Sequence, residues 1–189
     1  MTSRTRGILV LMLAGLMLMV GYSVLYQLDN PGMTRDISQQ ARGQGQAADR
    51  QMMDMVSGLM QNLQEDPGDI ETLERLGLIF MRMESWERAS GFWERILEQD
   101  SEHIQARQQL ANCYFRMEEY AQAALELQKV LEIDPQEPHA HFNLGLLYAY
   151  YLQDSEQARE HLQAVLEYAP ENLELQKEAS QELQNLTEQ

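Results

Sequence analysis

Residues 114–138 read YFRMEEYAQAALELQKVLEIDPQEP and place an aromatic, a small, an aliphatic and a proline residue at fixed offsets. The same order of side chains occurs before and after this stretch. Three leucines at one place in the pattern, Leu76, Leu110 and Leu144, follow one another at intervals of 34 residues. An internal period of this length predicts three copies of one structural unit, each built from a pair of helices.

Further landmarks recur with the same period. The equivalent sets are Gly77, Ala111 and Gly145, then Phe80, Tyr114 and Tyr148, then Ala89, Ala123 and Ala158, then Ser101, Pro135 and Pro170. The small residues allow two antiparallel helices to approach closely, and the aromatic rings fill the space beside them. Proline lies just past a helix end because it cannot continue a helix. Ala158 arrives one residue late, so we expect the turn of the third pair to hold one extra residue.

This order of small, aromatic and proline residues resembles the tetratricopeptide repeat (TPR) family over about residues 70 to 172. The resemblance implies an all-α fold, a solenoid of three helical hairpins. The predicted repeats cover about residues 70–103, 104–137 and 138–172. One departure concerns the first helix of each unit, where the family often has tryptophan. That position holds Leu73, Arg107 and His141 here.

Both flanks of the repeats show helical periodicity and complete a domain predicted at residues 48–186. Methionine and leucine recur at helical spacing between residues 48 and 64, which predicts a helix that caps the first repeat. Residues 172–186 predict a C-terminal capping helix. Its apolar face consists of Leu173, Leu175, Ala179, Leu183 and Leu186. Terminal repeats need such caps because an end repeat has no neighbour on one side.

The N-terminal part of the chain predicts a membrane anchor. Residues 7–28 carry no charge, and about 20 apolar residues span a bilayer as a helix. Arg4 and Arg6 favour a cytoplasmic start at residues 1–6, so the bulk of the chain is expected in the periplasm, or outside the cytoplasmic membrane, as a single-pass protein. Residues 29–47 are polar and contain Pro and Gly, which predicts a flexible tether. Cleavage after the apolar segment stays open as an alternative.

The charge balance limits the possible partners. The formal net charge is −16, from 30 acidic and 14 basic residues, and only two lysines occur. Nucleic-acid binding is not expected, because phosphate contacts need clustered Lys and Arg. The acidity favours a basic partner, and an acidic surface that only interacts with water is the other interpretation.

No arrangement of residues predicts catalysis, a metal site or a cofactor. The sequence has no Gly-rich phosphate loop and no pair of cysteines at metal or haem spacing. Cys113 is the one cysteine, and its place beside Ala111 predicts a small core residue. His139 and His141 are two positions apart on a helix and therefore face different directions. We expect a binding module, not an enzyme.

The first helices of stacked hairpins line the inner surface of such a solenoid, and their exposed positions form the predicted peptide-binding groove. These residues are Leu78, Met81, Gln105, Gln108, Asn112, Phe115, His139, Phe142, Asn143 and Leu146. The amides suit a peptide backbone, and the apolar side chains suit peptide side chains. Phe115 and Phe142 are open to a second interpretation, in which they only pack between repeats.

The basic clamp with which some TPR domains hold an acidic C-terminal tail is missing from this sequence. The matching positions carry Glu74, Gln109, Asn112, His139 and Asn143. A partner that ends in a cluster of acids is therefore disfavoured.

A narrower resemblance concerns the opening helix and the first repeat. Residues 59–89, LMQNLQEDPGDIETLERLGLIFMRMESWERA, are similar to the membrane-anchored periplasmic TPR subunits of the bacterial cytochrome c maturation haem lyase. That resemblance implies capture of the C-terminal part of apocytochrome c. Two other functions stay open: a structural scaffold of a membrane complex, and a translocon-associated chaperone.

Overall fold

The computed structural model describes residues 50–188 together with the helical residues Met19, Val20, Ser23 and Tyr26. It divides into two units, Met1–Met55 and Val56–Gln189. Apart from those four residues, the predicted start, anchor and tether lie outside the described residues. Within the described part, no helix is both long enough and apolar enough to cross a bilayer.

Eight helices and no strands make up residues 50–188, which agrees with the predicted all-α fold. They are α1 (residues 50–65), α2 (Ile70–Arg82), α3 (Trp86–Gln99), α4 (Ile104–Arg116), α5 (Tyr120–Ile133), α6 (Pro138–Tyr150), α7 (Ser155–Tyr168) and α8 (Leu173–Glu188). Helices α2 and α3, α4 and α5, and α6 and α7 form three hairpins that follow one another along the chain.

The turn inside each hairpin contains one residue in the left-handed conformation. These residues are Glu84, Glu118 and Gln153, with φ of 56°, 63° and 56°. A left-handed residue is a common way to end a helix, because it lets the next amide N–H groups reach the last free carbonyls. The third turn covers residues 151–154, one residue more than the other two. The expected extra residue is therefore confirmed to lie in this turn.

The junction before each hairpin has an aspartate at the same place. The carboxylates of Asp66, Asp100 and Asp134 accept hydrogen bonds of 3.0 to 3.1 Å from the backbone N–H two residues later. Such side-chain bonds stabilise a tight turn without help from proline. This explains how Ser101 can stand where the later repeats have proline.

The interior consists of three successive clusters of apolar side chains. The first joins α1 to α4, the second joins α4 to α6, and the third joins α6 to α8. Helix α1 contributes Leu59 and Leu63, and helix α8 contributes Leu175 and Ala179. Leu173, which the sequence placed on the apolar face of the C-terminal helix, is instead 77% exposed, because it stands at the first position of α8.

Close contact between the two helices of a hairpin depends on the small residues, as predicted. A Cβ atom on Gly77 would lie 2.6 Å from the ring of Trp93, and one on Gly145 would lie 2.7 Å from Leu162. Cys113 is confirmed as a core residue, since its side chain is fully buried. Burial, followed by the nearby Glu94 carboxylate, raises the pKa of the Cys113 thiol to about 12.

The positions where the family often has tryptophan connect the two helices of each hairpin. Leu73 is fully buried in the first cluster. Arg107 on α4 donates to the carboxylate of Glu126 on α5 at 2.8 Å. His141 on α6 and His161 on α7 meet through their Nδ1 atoms at 3.0 Å. One apolar contact and two polar contacts therefore occupy equivalent places in the three hairpins.

Candidate functional site

A cavity of about 750 Å³ lies between α4 and α6. Ala123 and Leu127 of α5 form part of its wall. Its lining also includes Tyr151, in the turn after α6, and Glu182 of α8. We call this cavity the α4–α6 groove. Its lining consists of Gln108, Gln109, Ala111, Asn112, Phe115, Ala123, Leu127, Glu137, His139, Asn143, Leu146, Leu147, Tyr150, Tyr151 and Glu182.

Six of the ten residues predicted from the sequence line this groove together. They are Gln108, Asn112, Phe115, His139, Asn143 and Leu146. The other four lie elsewhere. Leu78 is exposed on α2, Met81 packs against the first core cluster, and Gln105 is exposed in the first turn of α4. Phe142 packs against the third core cluster.

The place of Phe142 follows from the direction in which its position faces. Phe142 stands two residues before the buried Leu144, and it contacts the cluster formed with α7 and α8. The equivalent residue of the first repeat, Glu74, lies 3.5 Å from the imidazole of His103, which caps the next repeat. In the first repeat this position therefore faces the next repeat, and in the third repeat it packs against the cluster that α7 and α8 form. For Phe142, packing between repeats is the interpretation that the contacts favour.

Nine of the fifteen lining residues were not among the sequence candidates, and three of these nine, Tyr150, Tyr151 and Glu182, come from the end of α6 and beyond it. The two tyrosines stand at the end of α6 and in the enlarged turn that follows it. The extra residue in this part of the sequence was the available signal. Glu182 belongs to α8, which the sequence predicted only as a cap, and nothing local marks it as part of a groove.

Amide side chains provide hydrogen-bonding groups along the groove. Asn112 on α4 and Asn143 on α6 are both exposed, and Gln108 and Gln109 are half-buried beside them. Each amide offers both donors and an acceptor. Within the described part of the chain, none of the four has a side-chain hydrogen bond recorded, so their polar atoms are available to a bound backbone.

An aromatic cluster stands at one end of the groove. The ring of Phe115 meets that of Tyr151 edge to face, with centroids 5.2 Å apart. Tyr151 stacks on Tyr120 at 4.2 Å between centroids. Both are arrangements that aromatic pairs prefer, so the three rings hold one another in place.

The groove is acidic and aromatic at the end of α6. Tyr150 donates a short hydrogen bond to Oε2 of Glu182, and Asn185 donates to the same oxygen at 3.3 Å. The bond to Glu182 is the main cause that raises the pKa of Tyr150. The second lining carboxylate, Glu137, caps α6 by accepting from the backbone N–H of Ala140. No lysine or arginine occurs among the lining residues that the structure describes.

Metal binding finds no support in the described residues, where no group of three or more His, Cys, Asp or Glu side chains meets. His139 lines the groove and is exposed, whereas His141 is buried, so the two face different directions as predicted. The described lining also contains no serine, cysteine or threonine, the residues that most often serve as oxygen or sulfur nucleophiles.

Stacked helical hairpins with a groove lined by their first helices define a class of proteins, the helical-repeat modules that bind other proteins. Two family models match the chain: one described as "TPR repeat" over residues 111–150, and one described as "Tetratricopeptide repeat" over residues 139–172. Residues 111–172 of the chain therefore consist of tetratricopeptide repeats. No curated protein matches it in sequence.

Solved structures with the same fold support the assignment. A crystal structure of MamA has 20% identity and a TM-score of 0.60, over 76% of this chain and 91% of that one. The first TPR of Spaghetti (RPAP3), bound to the HSP90 peptide SRMEEVD, has 21% identity and a TM-score of 0.56. The match covers 63% of this chain and 90% of that one. The translocator chaperone SycD of Yersinia enterocolitica type III secretion has 18% identity and a TM-score of 0.59. The match covers 62% of this chain and 91% of that one.

Proposed function

We propose that this chain is a membrane-anchored, extracytoplasmic TPR module that binds an extended segment of a client protein in the α4–α6 groove. The observation that carries the proposal is the groove itself, a cavity of about 750 Å³ that is lined by amides from both α4 and α6. A groove of this kind suits a chain whose backbone and side chains both need partners. The described lining favours binding over catalysis.

The client that we propose is an apocytochrome c, bound during its maturation. The support is the resemblance of residues 59–89 to the anchored TPR subunits of the haem lyase, together with the net charge of −16. An acidic module attracts a lysine-rich client over distances of about 10 Å at moderate salt. The related fold of Spaghetti holds an HSP90 peptide with an acidic end. Without lining Lys or Arg, this groove is unsuited to such an end.

Two groove amides provide the test. We expect Asn112→Ala combined with Asn143→Ala to weaken binding of a peptide from the C-terminal part of an apocytochrome c about tenfold or more, since unpaired buried groups are costly. The matched control is Gln122→Ala combined with Gln163→Ala, which removes two exposed amides outside the groove. Circular dichroism of both variants checks that the helices remain folded.

The alternative functions give different results in the same experiment. A structural scaffold would retain a folded partner with unchanged affinity in the groove variant. A general chaperone would bind many unrelated unfolded segments weakly. Unchanged affinity for the apocytochrome peptide in the Asn112 and Asn143 variant would reject the groove as the binding site.

The anchor has a separate test. Two arginines precede an apolar segment of 22 residues, which is longer than an ordinary signal-peptide core. The protein purified from membranes should therefore begin at or near Met1. A mature N-terminus at Val24 would show cleavage and reject a retained anchor.

A further inference from the structure

The end of the α4–α6 groove near Tyr150 has a fixed carboxylate. Glu182 projects from α8 to the groove edge, where its Oε2 accepts from the hydroxyl of Tyr150 and from the amide of Asn185. Both recorded bonds use Oε2, so Oε1 of this half-buried carboxylate has no recorded partner among the described residues. Two donors to one oxygen hold the carboxylate in a fixed orientation.

Aromatic rings adjoin this carboxylate. Tyr150 and Tyr151 are 49% and 42% exposed, and Tyr151 is held between Phe115 and Tyr120 by the ring contacts described above. The faces of such rings attract cations within about 6 Å of the ring centre. A fixed carboxylate beside exposed aromatic rings is a combination that suits an ammonium or guanidinium group.

The described groove lining contains no competing cation, and a nearby carboxylate adds negative charge. The described lining residues include neither Lys nor Arg, and the exposed Glu118 contributes to the raised pKa of Tyr120, behind burial. Arg116, the basic residue that ends α4, stacks over Trp86 at 4.6 Å, so its charge is engaged on the side of the first repeat. Glu182 is therefore free to pair with a cation of the ligand.

We propose that the α8 end of the groove is a subsite for a lysine or arginine side chain of the bound segment. The carboxylate of Glu182 pairs with the cation, Tyr150 and Asn185 position that carboxylate, and the rings of Tyr151 and Phe115 contact the aliphatic stem and the charge. Helix α8 is thus part of the ligand site as well as a cap. This inference rests on the proposed binding of a peptide segment in the groove.

The test uses a library of short random peptides with acetylated N-termini and amidated C-termini, selected on the full chain in mild detergent. We expect the selected peptides to carry Lys or Arg beside an apolar residue. Glu182→Gln should lower their affinity about tenfold or more. The matched control is Glu167→Gln, which removes the same charge from an exposed position of α7 outside the groove. Glutamine at 182 can still accept from Tyr150, and circular dichroism checks folding.

Replacement of the peptide lysine by norleucine completes the experiment. The replacement should weaken binding to the parent protein more than binding to the Glu182→Gln variant, because the ion pair is already broken in that variant. If the selected peptides depend on Asn112 and Asn143 but show no preference for cations, or bind equally well to the Glu182→Gln variant, the subsite is rejected and the proposed function stands. If no peptide is selected, both are rejected.

Discussion

Glycine and alanine decide how closely the two helices of a hairpin approach. Gly77 lies against the fully buried ring of Trp93, and Gly145 lies against Leu162, which is also fully buried. Their neighbours cannot move easily, because each belongs to a core cluster packed on several sides. A single methyl group at either glycine therefore forces a helix or a ring to shift.

We predict that Gly77→Ala lowers the free energy of unfolding by about 1–3 kcal/mol, because the added Cβ meets the Trp93 ring at 2.6 Å. Gly91→Ala is the matched control. Gly91 also lies inside a helix, but apart from its chain neighbours and the backbone of its own helix, no atom lies within 4 Å of an added Cβ. Alanine at position 91 should raise the free energy of unfolding by about 0.5–1 kcal/mol. Urea unfolding measures both changes, and equal effects of the two variants would contradict the assigned contact.

At the scale of helices, polar bridges fix the pairing within two of the hairpins. Glu126 is 7% exposed on α5, and its two carboxylate oxygens receive Arg107 from α4 at 2.8 Å and Lys129 at 2.6 Å. Arg107 also donates to the backbone carbonyl of Ser101, before α4. The guanidinium thus connects both helices of the second hairpin with the junction that precedes them.

Glu126→Ala should destabilise the domain by about 3–5 kcal/mol, because it leaves the mostly buried charge of Arg107 without its carboxylate partner. Lys129→Ala removes the other cation of the same group. Since the Lys129 side chain is 36% exposed, its loss should change stability by less than about 1 kcal/mol. Thermal unfolding of the two variants compares them, and a small effect of Glu126→Ala would mean that Arg107 finds another partner.

The His141–His161 bridge of the third hairpin predicts a dependence on pH. Burial, and then the neighbouring His141, lower the pKa of His161 below its ordinary value of 6.5, while Glu160 acts in the opposite direction. Tyr148 and Tyr168 complete the aromatic surroundings of the pair. The unfolded chain therefore takes up a proton at higher pH than the folded chain. Stability should fall as the pH drops below about 6.5 and level off below the folded pKa.

The midpoint of urea unfolding between about pH 5 and 7 measures this effect. His161→Gln should flatten the dependence, whereas His139→Gln, at an exposed groove position, should leave it as in the parent protein. A pH dependence that stays the same in His161→Gln would assign it to other groups.

At the scale of the whole repeat domain, the three core clusters follow the order of the helices, so each hairpin depends mainly on its neighbours. The third hairpin has α8 as its neighbour on one side, through the buried Leu175 and Ala179. Stability in such a solenoid is approximately a sum of terms from each repeat and each interface. A change that destabilises one terminal hairpin should therefore lower the stability of its neighbour more than that of distant hairpins.

Removal of residues 173–189 should reduce the hydrogen-exchange protection of α6 and α7 far more than that of α2 and α3. The exposed apolar surface of the third cluster, formerly covered by α8, is the reason. Removal of residues 187–189 alone serves as the control, because Thr187 and Glu188 are exposed. An equal loss of protection in all hairpins would show that the domain unfolds as one cooperative unit.

The sequence by itself determined the repeat, the helical hairpins, the small residues at the helix contacts and the extra residue in the third turn. These features follow from local periodicity, because side chains three and four positions apart share one face of a helix. The sequence also predicted that Asn112, Phe115, His139 and Asn143 lie in one groove, and all four line it from two adjacent first helices. Peptide binding at these residues stays a prediction.

Only the tertiary structure decided the direction of Phe142 and the membership of Tyr150, Tyr151 and Glu182 in the groove. Phe142 packs against the cluster that α7 and α8 form, and this depends on how α6 packs against those two helices. Glu182 reaches the groove because α8 folds back against the end of α6, where Tyr150 bonds to it. Such contacts join residues far apart in sequence through helix packing, and local periodicity carries no information about packing at that distance.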